Sequence, residues 1–297
     1  MNKLIRKYKN GNYTVNLYED GTKVRRTEAS SFIPEFAENM DIKITNKCSG
    51  TNCAWCHEGS SECGKHGNIM GERFIDTLKP GQEVALGGGN VLEHPALIPF
   101  LKKLRALNVI ANITINQIHF EEEFDLVEDL IKEKLIYGLG ISLVDPTDSF
   151  IGKVKKCSNA VIHVINGVFT AEECEKLCDE ELKILILGYK RLRRGAEYLE
   201  KKNTLIKKNQ DWLYDNLSDM LEKFNVVSFD NLAIEQLNVE RLLPNEEWQK
   251  FYMGDDGTFT FYIDMIERKF AKSSTAPFNE RYELLHDVTE MFNKIKS

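Results

Sequence analysis

Short apolar runs alternate with helical patterns from about residue 40 onward. Runs rich in strand-forming residues are predicted to be β-strands at Asp41–Thr45, Val84–Leu86, Val109–Ile115, Tyr137–Leu143, Ala160–Ile165 and Lys183–Leu187. Because these runs are almost continuously apolar, we expect parallel strands that are covered on both faces. Apolar residues at helical spacing fill the gaps, for example over 95–107 and 124–131. Thr170 and Glu173 have the spacing of a capping box and predict a helix that runs to Cys178.

This alternation of strand and helix predicts an α/β protein. Six βα units with right-handed crossovers give a partial (β/α)6 TIM-type barrel that stays open on one side. Ligands of such folds bind at the carboxyl ends of the strands. Cys48, Gly87, Asn116 and Ser142 all fall at or near such ends, so we expect them to share one rim.

Further elements are predicted on both sides of this core. Residues 13–26 alternate around Asp20-Gly21 and predict an N-terminal β-hairpin. The stretch 190–208 is basic and helical, and Val226–Phe229 is a candidate seventh strand. A second hairpin is predicted around 254–257, between two aromatic runs, and an amphipathic helix over 279–296. The predicted division is an N-terminal hairpin extension (1–39), the barrel core (40–230) and a C-terminal segment that covers the substrate (231–297).

Composition narrows the classes of protein that fit. The formal net charge of −7 gives no basic field, which disfavours a nucleic-acid partner without excluding one. The sequence has no apolar stretch near 18 residues and no signal-peptide pattern at its start, so we expect no membrane partner. Seven cysteines, three of them close together, argue against a secreted disulfide framework, and we expect a cytoplasmic protein.

The loop after the first predicted core strand contains the strongest candidates for functional residues. Cys48, Cys53 and Cys56 fall within nine residues, separated by residues that favour loops. Such a loop can hold a metal ion or an iron–sulfur cluster, or it can supply redox thiols. A closed zinc site and a conventional electron-transfer [4Fe–4S] cluster both need four protein ligands. Three cysteines would leave one iron of a cluster open to a small molecule.

A glycine run follows the second predicted core strand. Gly87, Gly88 and Gly89 stand at its end, where the missing Cβ atoms would let a ligand approach the backbone.

The order strand, C-x4-C-x2-C loop, helix, strand and Gly-Gly-Gly resembles the radical S-adenosylmethionine (radical SAM) superfamily. The resemblance implies that Cys48, Cys53 and Cys56 hold a [4Fe–4S] cluster whose fourth iron is chelated by S-adenosylmethionine. It also implies that Trp55 lies near the adenine. Two features differ from the usual pattern: the first two cysteines are one residue further apart than in C-x3-C-x2-C, and Asn90 stands where an acidic residue is common.

The glycine run corresponds to the stretch that meets the methionine amino group in that family, which implies this role for Gly87, Gly88 and Gly89.

The same resemblance implies further roles at the rim. Asn116 and Ser142 stand where family members place polar groups for the ribose hydroxyls, and Lys190 is the first choice as the cation for the ligand's carboxylate, with Arg191 and Arg193 as competitors. The implied activity is reductive cleavage of S-adenosylmethionine to a 5′-deoxyadenosyl radical, which takes a hydrogen atom from a substrate. An external flavodoxin- or ferredoxin-type electron donor is implied. The expected substrate is a peptide or a small molecule, and a peptide or protein is slightly favoured over a nucleotide or tRNA base.

Other interpretations stay open at this point. The three cysteines could form a zinc site completed by His57, Cys63 or His66, in a non-catalytic sensor or partner module. An ordinary barrel enzyme with incidental cysteines is the third alternative. Cys63 is interpreted as a loop cysteine, and Cys174 and Cys178, one helical turn apart, as structural residues.

Overall fold

A computed structural model describes residues 3–297 of the chain. Its strands are β1 (Leu4–Asn10), β2 (Tyr13–Tyr18), β3 (Lys23–Arg26), β4 (Asn39–Thr45), β5 (Glu83–Gly88), β6 (Ile110–Asn116), β7 (Gly138–Ser142), β8 (Ala160–Ile165), β9 (Lys183–Leu187), β10 (Val226–Phe229), β11 (Thr260–Asp264), β12 (Lys269–Ala271) and β13 (Tyr282–Glu283). Its α-helices are α1 (Leu97–Ala106), α2 (Gln117–Glu122), α3 (Phe124–Lys132), α4 (Asp148–Val154), α5 (Ala171–Leu177), α6 (Arg194–Lys223), α7 (Asn231–Leu237), α8 (Asn245–Phe251) and α9 (Val288–Lys296). None of the helices in this described range is long and apolar enough to span a membrane.

One large sheet organises the molecule. Its order is β10-β9-β8-β7-β6-β5-β4-β11-β12-β13. The strands β4 to β10 are parallel and lie in chain order, which confirms the six predicted core strands and the candidate seventh. Helices follow most of these strands, so the fold is mixed α/β with a large parallel sheet, as predicted. Parallel strands in chain order place every strand's carboxyl end on the same edge, and the site is built there.

The prediction that both faces of the strands are covered holds only in part. Met40, Ile42 and Ile44 of β4 are buried in the main core, and on the opposite face Lys43 and Thr45 are buried while Asp41 is exposed. Burial alternates in β8, where Ile162 is buried and its neighbours are half-buried. One face of the sheet therefore packs against helices, and the other lines an interior space that tolerates polar side chains.

The C-terminal segment differs from its prediction. No hairpin turn forms at 254–257; instead β11 joins the large sheet parallel to β4, and the hairpin turn lies between β11 and β12. Arg268, in that turn, has a φ of 54°, which marks the tight reversal. The predicted helix over 279–296 is shorter, because α9 begins only after Asp287, whose side chain accepts hydrogen bonds from two backbone N–H groups.

At the other end of the chain, β2 and β3 form the predicted N-terminal hairpin, and β1 adds a third antiparallel strand. The small sheet is attached through Tyr13, which is 2% exposed and whose hydroxyl donates to Glu38 at 2.6 Å. Phe259, just before β11, packs edge-on against the Tyr13 ring. The N-terminal sheet and the segment that leads into β11 therefore meet beside β4.

The helix predicted to begin at residue 190 begins later in the structure. Residues 190–193 are not helical, and α6 starts at Arg194. Arg193 has a φ of 49°, and a Cβ at Gly195 would lie 2.4 Å from the carbonyl oxygen of Lys190. The chain therefore turns sharply here, which leaves Lys190 on the loop after β9.

Candidate functional site

A cavity of about 180 Å³ lies at the carboxyl ends of the parallel strands. Nine of the ten residues predicted for the site line it: Cys48, Cys53, Trp55, Cys56, Gly88, Gly89, Asn116, Ser142 and Lys190. Gly87, the tenth, does not line it, although a Cβ at this position would meet nothing within 4 Å. Residues from five strand ends and from the cysteine loop thus converge on one space.

The cysteine loop (residues 46–66) is held by backbone contacts and by an arginine. The Cys48 amide donates to the carbonyl of Ser61 at 2.9 Å. Arg194, at the first position of α6, donates from its guanidinium to the carbonyls of Cys53, at 3.0 Å, and Ser60, at 2.9 Å. A charged donor on backbone carbonyls is a strong hydrogen bond, so α6 supports the loop from one side.

Polar side chains surround two of the three sulfurs. Oγ1 of Thr51 lies 3.0 Å and Nε2 of His119 lies 3.5 Å from Sγ of Cys48. Nδ2 of Asn116 donates to Sγ of Cys53 at 3.6 Å. Burial raises the pKa of the Cys48 and Cys53 thiols above the ordinary value. These thiols are therefore held neutral until a cation stabilises their thiolates.

Gly88 and Gly89 are required first by the backbone that packs against them. A Cβ at Gly88 would lie 2.1 Å from the carbonyl oxygen of Thr45, and one at Gly89 would lie 2.0 Å from that of Lys47. The Gly89 amide donates to the Thr45 carbonyl at 2.8 Å. Only glycine allows the end of β5 to approach the start of the cysteine loop this closely.

A glutamate links the segment after the glycine run to the cysteine loop through hydrogen bonds. Glu93, in the short 3₁₀ helix Val91–Glu93, accepts from the amide and from the hydroxyl of Ser49, both at 2.8 Å. Asn90 is buried, and its side chain caps this 3₁₀ helix by accepting from the Leu92 amide. Asn90 therefore acts on local backbone, and the acidic group near the glycine run is Glu93.

A buried ionic network lies behind the third cysteine. Nζ of Lys43 lies 2.7 Å from Glu58 and 3.2 Å from Asp264, and these side chains are 3%, 10% and 0% exposed. Nε2 of His57 lies 3.3 Å from the other oxygen of Glu58. Burial acts to raise the pKa of Glu58, but His57 and Lys43 outweigh it and hold that pKa well below its usual range. The network joins β4, the cysteine loop and β11.

His163 and Lys190 form a polar part of the cavity wall. A Cβ at Gly140 would lie 2.3 Å from Cε1 of His163, so the missing side chain makes room for the imidazole. Desolvation and the nearby Lys190 ammonium lower the pKa of His163 to about 4, which keeps it neutral at physiological pH. Nζ of Lys190 donates to Ser274 at 3.1 Å, and no carboxylate of the described chain lies within the 4.0 Å of an ion pair. The ammonium group of Lys190 can therefore bind an anionic group of a ligand in the cavity.

Of the three candidates for a fourth zinc ligand, only His57 lines the cavity with the cysteines, and its Nε2 faces Glu58. Cys63 is exposed, and neither Cys63 nor His66 lines the cavity. His66 instead lies 3.0 Å from the Thr45 hydroxyl and packs edge-on against His94. Over residues 3–297, no group of three His, Cys, Asp or Glu side chains is arranged to hold a single metal ion. The arrangement gives no support to a mononuclear zinc site.

Several residues of the site were missed by the sequence analysis: Lys43, Thr51, Glu58, Glu93, His119, His163 and Arg194. Lys43 and His163 carried a signal, since each interrupts an apolar strand at a position that points away from the helices. His119 follows Asn116 by one helical turn, which was a second usable signal. Glu93 and Arg194 act through long-range contacts that no local pattern marks.

No family model and no curated protein matches this chain by sequence. The fold resembles crystal structures of SuiB from Streptococcus suis. The structure of SuiB bound to S-adenosylmethionine has a TM-score of 0.53 at 15% identity, and that of SuiB bound to its precursor peptide SuiA has a TM-score of 0.50 at 14% identity. Each match covers 80% of this chain but 60% of SuiB. The chain therefore shares its fold with SuiB, a protein whose structure is known with S-adenosylmethionine bound.

Proposed function

We propose that this protein is a radical SAM enzyme that binds a [4Fe–4S] cluster and S-adenosylmethionine. When bound, this pair supplies a 5′-deoxyadenosyl radical that abstracts hydrogen from the substrate. The observation that carries the proposal is the convergence of Cys48, Cys53 and Cys56 with the glycine run on one cavity at the carboxyl ends of parallel strands. The fold shared with an S-adenosylmethionine-binding protein supports it.

The donor set fits the cluster. All three cysteines are free thiols of intermediate exposure, and hydroxyl and N–H groups stand beside the sulfurs of Cys48 and Cys53, as thiolates require. A cluster uses one thiolate for each of three irons, so it does not need the close packing of ligands around a single ion. In this proposal Cys48, Cys53 and Cys56 are the three ligands.

Residues of this chain would bind and orient S-adenosylmethionine. The backbone of 87–89 would meet the methionine end, and Lys190 would receive the carboxylate. Trp55 would lie near the adenine, with its ring fixed edge-on against Tyr198 at 5.6 Å between centroids. Asn116 and Ser142 would meet the ribose hydroxyls. When a cofactor supplies the reactive species, the protein orients the cofactor and the substrate and excludes water.

The sheet is proposed to be a partial barrel, open between its first and last strands, with the substrate entering on the open side. We propose a peptide or protein substrate, and the precursor peptide bound by SuiB supports that class. A flavodoxin- or ferredoxin-type donor would deliver the electron. The cytoplasm is the proposed compartment, because a cluster with an open iron needs reducing conditions.

Anaerobic reconstitution with iron and sulfide tests the proposal. The wild-type chain should take up about four irons with matching sulfide, and it should release 5′-deoxyadenosine when S-adenosylmethionine and a reductant are added. Cys53→Ala should lose both properties. Cys63→Ala is the matched control, because Cys63 belongs to the same loop but lies outside the cavity.

Three results would contradict the proposal. One zinc per chain after metal analysis would favour the non-catalytic module. Equal iron uptake by Cys53→Ala and Cys63→Ala would show that Cys53 is not a ligand of the cluster. A fully loaded wild-type chain that releases no 5′-deoxyadenosine would leave a cluster-binding module without the proposed chemistry.

A further inference from the structure

The corner between β6 and α2, residues 116–119, brings two side-chain nitrogens close to two different cysteines. Nδ2 of Asn116 lies 3.6 Å from Sγ of Cys53, and Nε2 of His119 lies 3.5 Å from Sγ of Cys48. The third sulfur, that of Cys56, has no side-chain hydrogen bond within the described chain. The donors are three residues apart, so one turn of α2 sets their separation.

The corner is built to hold these donors in place. The side-chain oxygen of Asn116 accepts from the Ile118 amide at 2.9 Å and caps α2, which leaves its nitrogen to donate. Gln117 is 3% exposed, and its side-chain oxygen accepts from two amides of the loop after β7, Val144 and Asp145, both at 2.9 Å. His119 is 3% exposed as well. Buried groups with satisfied hydrogen bonds cannot rotate away without leaving polar atoms unpaired.

We propose that Asn116 and His119 are positioning residues that donate N–H hydrogen bonds to the thiolates of Cys53 and Cys48, and thereby raise the reduction potential of the [4Fe–4S] cluster held there. This inference rests on the proposed function, because it needs the cluster. It adds the prediction that the three cysteine ligands are unequal, since Cys56 lacks such a donor.

The physical reason is the distribution of charge. Reduction adds an electron to a cluster that already carries negative charge on its sulfurs, and a hydrogen bond to a ligand sulfur stabilises that added charge. In a buried site the stabilisation is larger than in water, because solvent screens it less. Loss of a donor therefore makes reduction harder.

The test is a redox titration of the reconstituted full-length chain, followed by electron paramagnetic resonance of the reduced cluster. His119→Leu removes the donor at similar volume, and His119→Gln keeps an N–H group. Asn116→Ser keeps an oxygen that can cap α2 but is too short to reach Cys53. His66→Gln is the control, because His66 contacts Thr45 rather than a ligand sulfur.

We expect the midpoint of His119→Leu to fall by at least about 59 mV, which is a tenfold change in the equilibrium for one electron. Asn116→Ser should shift in the same direction by less, because its contact is longer. His119→Gln should recover most of the wild-type midpoint, and His66→Gln should match the wild type.

The outcomes separate the two proposals. Loaded chains with the same midpoint in wild type, His119→Leu and Asn116→Ser overturn the inference and leave the proposed function standing. Equal losses in His119→Leu and His119→Gln also overturn it, because a structural role would not distinguish a donor from an apolar side chain. A wild-type chain that binds no iron and sulfide overturns the proposed function and the inference together.

Discussion

Gly140 on β7 lies diagonally across from His163 on β8, and only the absence of a side chain at Gly140 leaves space for the imidazole. A Cβ there would lie 2.3 Å from Cε1 and 2.5 Å from Nε2 of His163, and 3.0 Å from the Thr114 hydroxyl. We therefore expect Gly140→Ala to lower the free energy of unfolding by about 1–3 kcal/mol, because the ring must leave its rotamer. Urea unfolding at pH 7 measures the change.

Gly152→Ala is the control for that substitution. Gly152 lies inside α4, and a Cβ there would meet nothing within 4 Å. Alanine should raise helix stability at this position by about 0.5–1 kcal/mol. Equal effects of the two substitutions would show that Gly140 does not make room for the imidazole.

The neutral state of His163 gives a prediction for pH dependence. Its pKa of about 4 in the folded protein lies below the unfolded value, so the unfolded chain binds the proton first as pH falls. The stability that His163 contributes is thus present above about pH 6.5 and is lost as pH falls towards 4. His163→Gln should reduce the loss of unfolding free energy between pH 7 and pH 5.

The direct measurement is an NMR titration of the imidazole. The resonance that disappears in His163→Gln should show no protonation above pH 5 in the wild type. A midpoint near 6.5 for that resonance would mean that the imidazole is solvated rather than enclosed.

At the scale of elements, Glu93 joins the 3₁₀ helix after the glycine run to the cysteine loop. Both of its carboxylate oxygens accept from Ser49, and hydrogen bonds to charged groups contribute about 1.5–3 kcal/mol each. Glu93→Ala should therefore free the loop, and the Ser49 amide should exchange with solvent at least about tenfold faster. Hydrogen–deuterium exchange measures this rate.

Glu62→Ala is the matched control, since Glu62 is an exposed glutamate of the same loop. It should leave the exchange of Ser49 unchanged. If both variants exchange at the wild-type rate, the backbone contacts of the loop alone determine its order.

Elements whose signal is local were predicted well. The strands β4 to β10 are four to seven residues long and each contains closely spaced apolar residues. The Thr170–Glu173 capping box was readable from spacing alone and is present. The second hairpin was placed wrongly because β11 pairs with β4, more than two hundred residues earlier in the chain. Pairing over such a distance leaves no mark on the local sequence.

The residues of the candidate site also divide into those with a local sequence signal and those without one. Cys48, Cys53 and Cys56 stand out because thiols at this spacing are rare in a loop. The supporting side chains, such as Glu58 and Arg194, are common residue types whose importance comes only from where the fold brings them. The half-buried face of the sheet was missed because its polar residues are few, with Lys43 and His163 among them.

At the scale of the whole molecule, Lys43 holds three distant segments together. It lies on β4 and contacts Glu58 of the cysteine loop and Asp264 of β11. Lys43→Met would remove the buried cation that Glu58 and Asp264 share, and would leave them the longer contacts to Arg193, at 3.7 Å, and to Arg281, at 3.9 Å. We therefore expect the free energy of unfolding to fall by about 3–5 kcal/mol. Urea unfolding at pH 7 measures this loss.

Lys132→Met provides the comparison. Lys132 is exposed on α3 and contacts Glu128 at 2.7 Å, so its removal should leave the free energy of unfolding nearly unchanged. A loss for Lys43→Met as small as that for Lys132→Met would show that the two arginines or water, rather than the lysine, stabilise Glu58 and Asp264.

The position of β4 in the sheet has a consequence for synthesis on the ribosome. β4 is made early, yet one of its two neighbours, β11, is translated only after residue 259, and Asp264 belongs to that late strand. A nascent chain can align β4 to β10 one after another, but it exposes an unpaired β4 edge and a Lys43 without one of its two carboxylates until β11 emerges. The cysteine loop therefore gains its full support only once β11 has emerged, and a factor that binds the nascent chain earlier would meet the loop in a less ordered form.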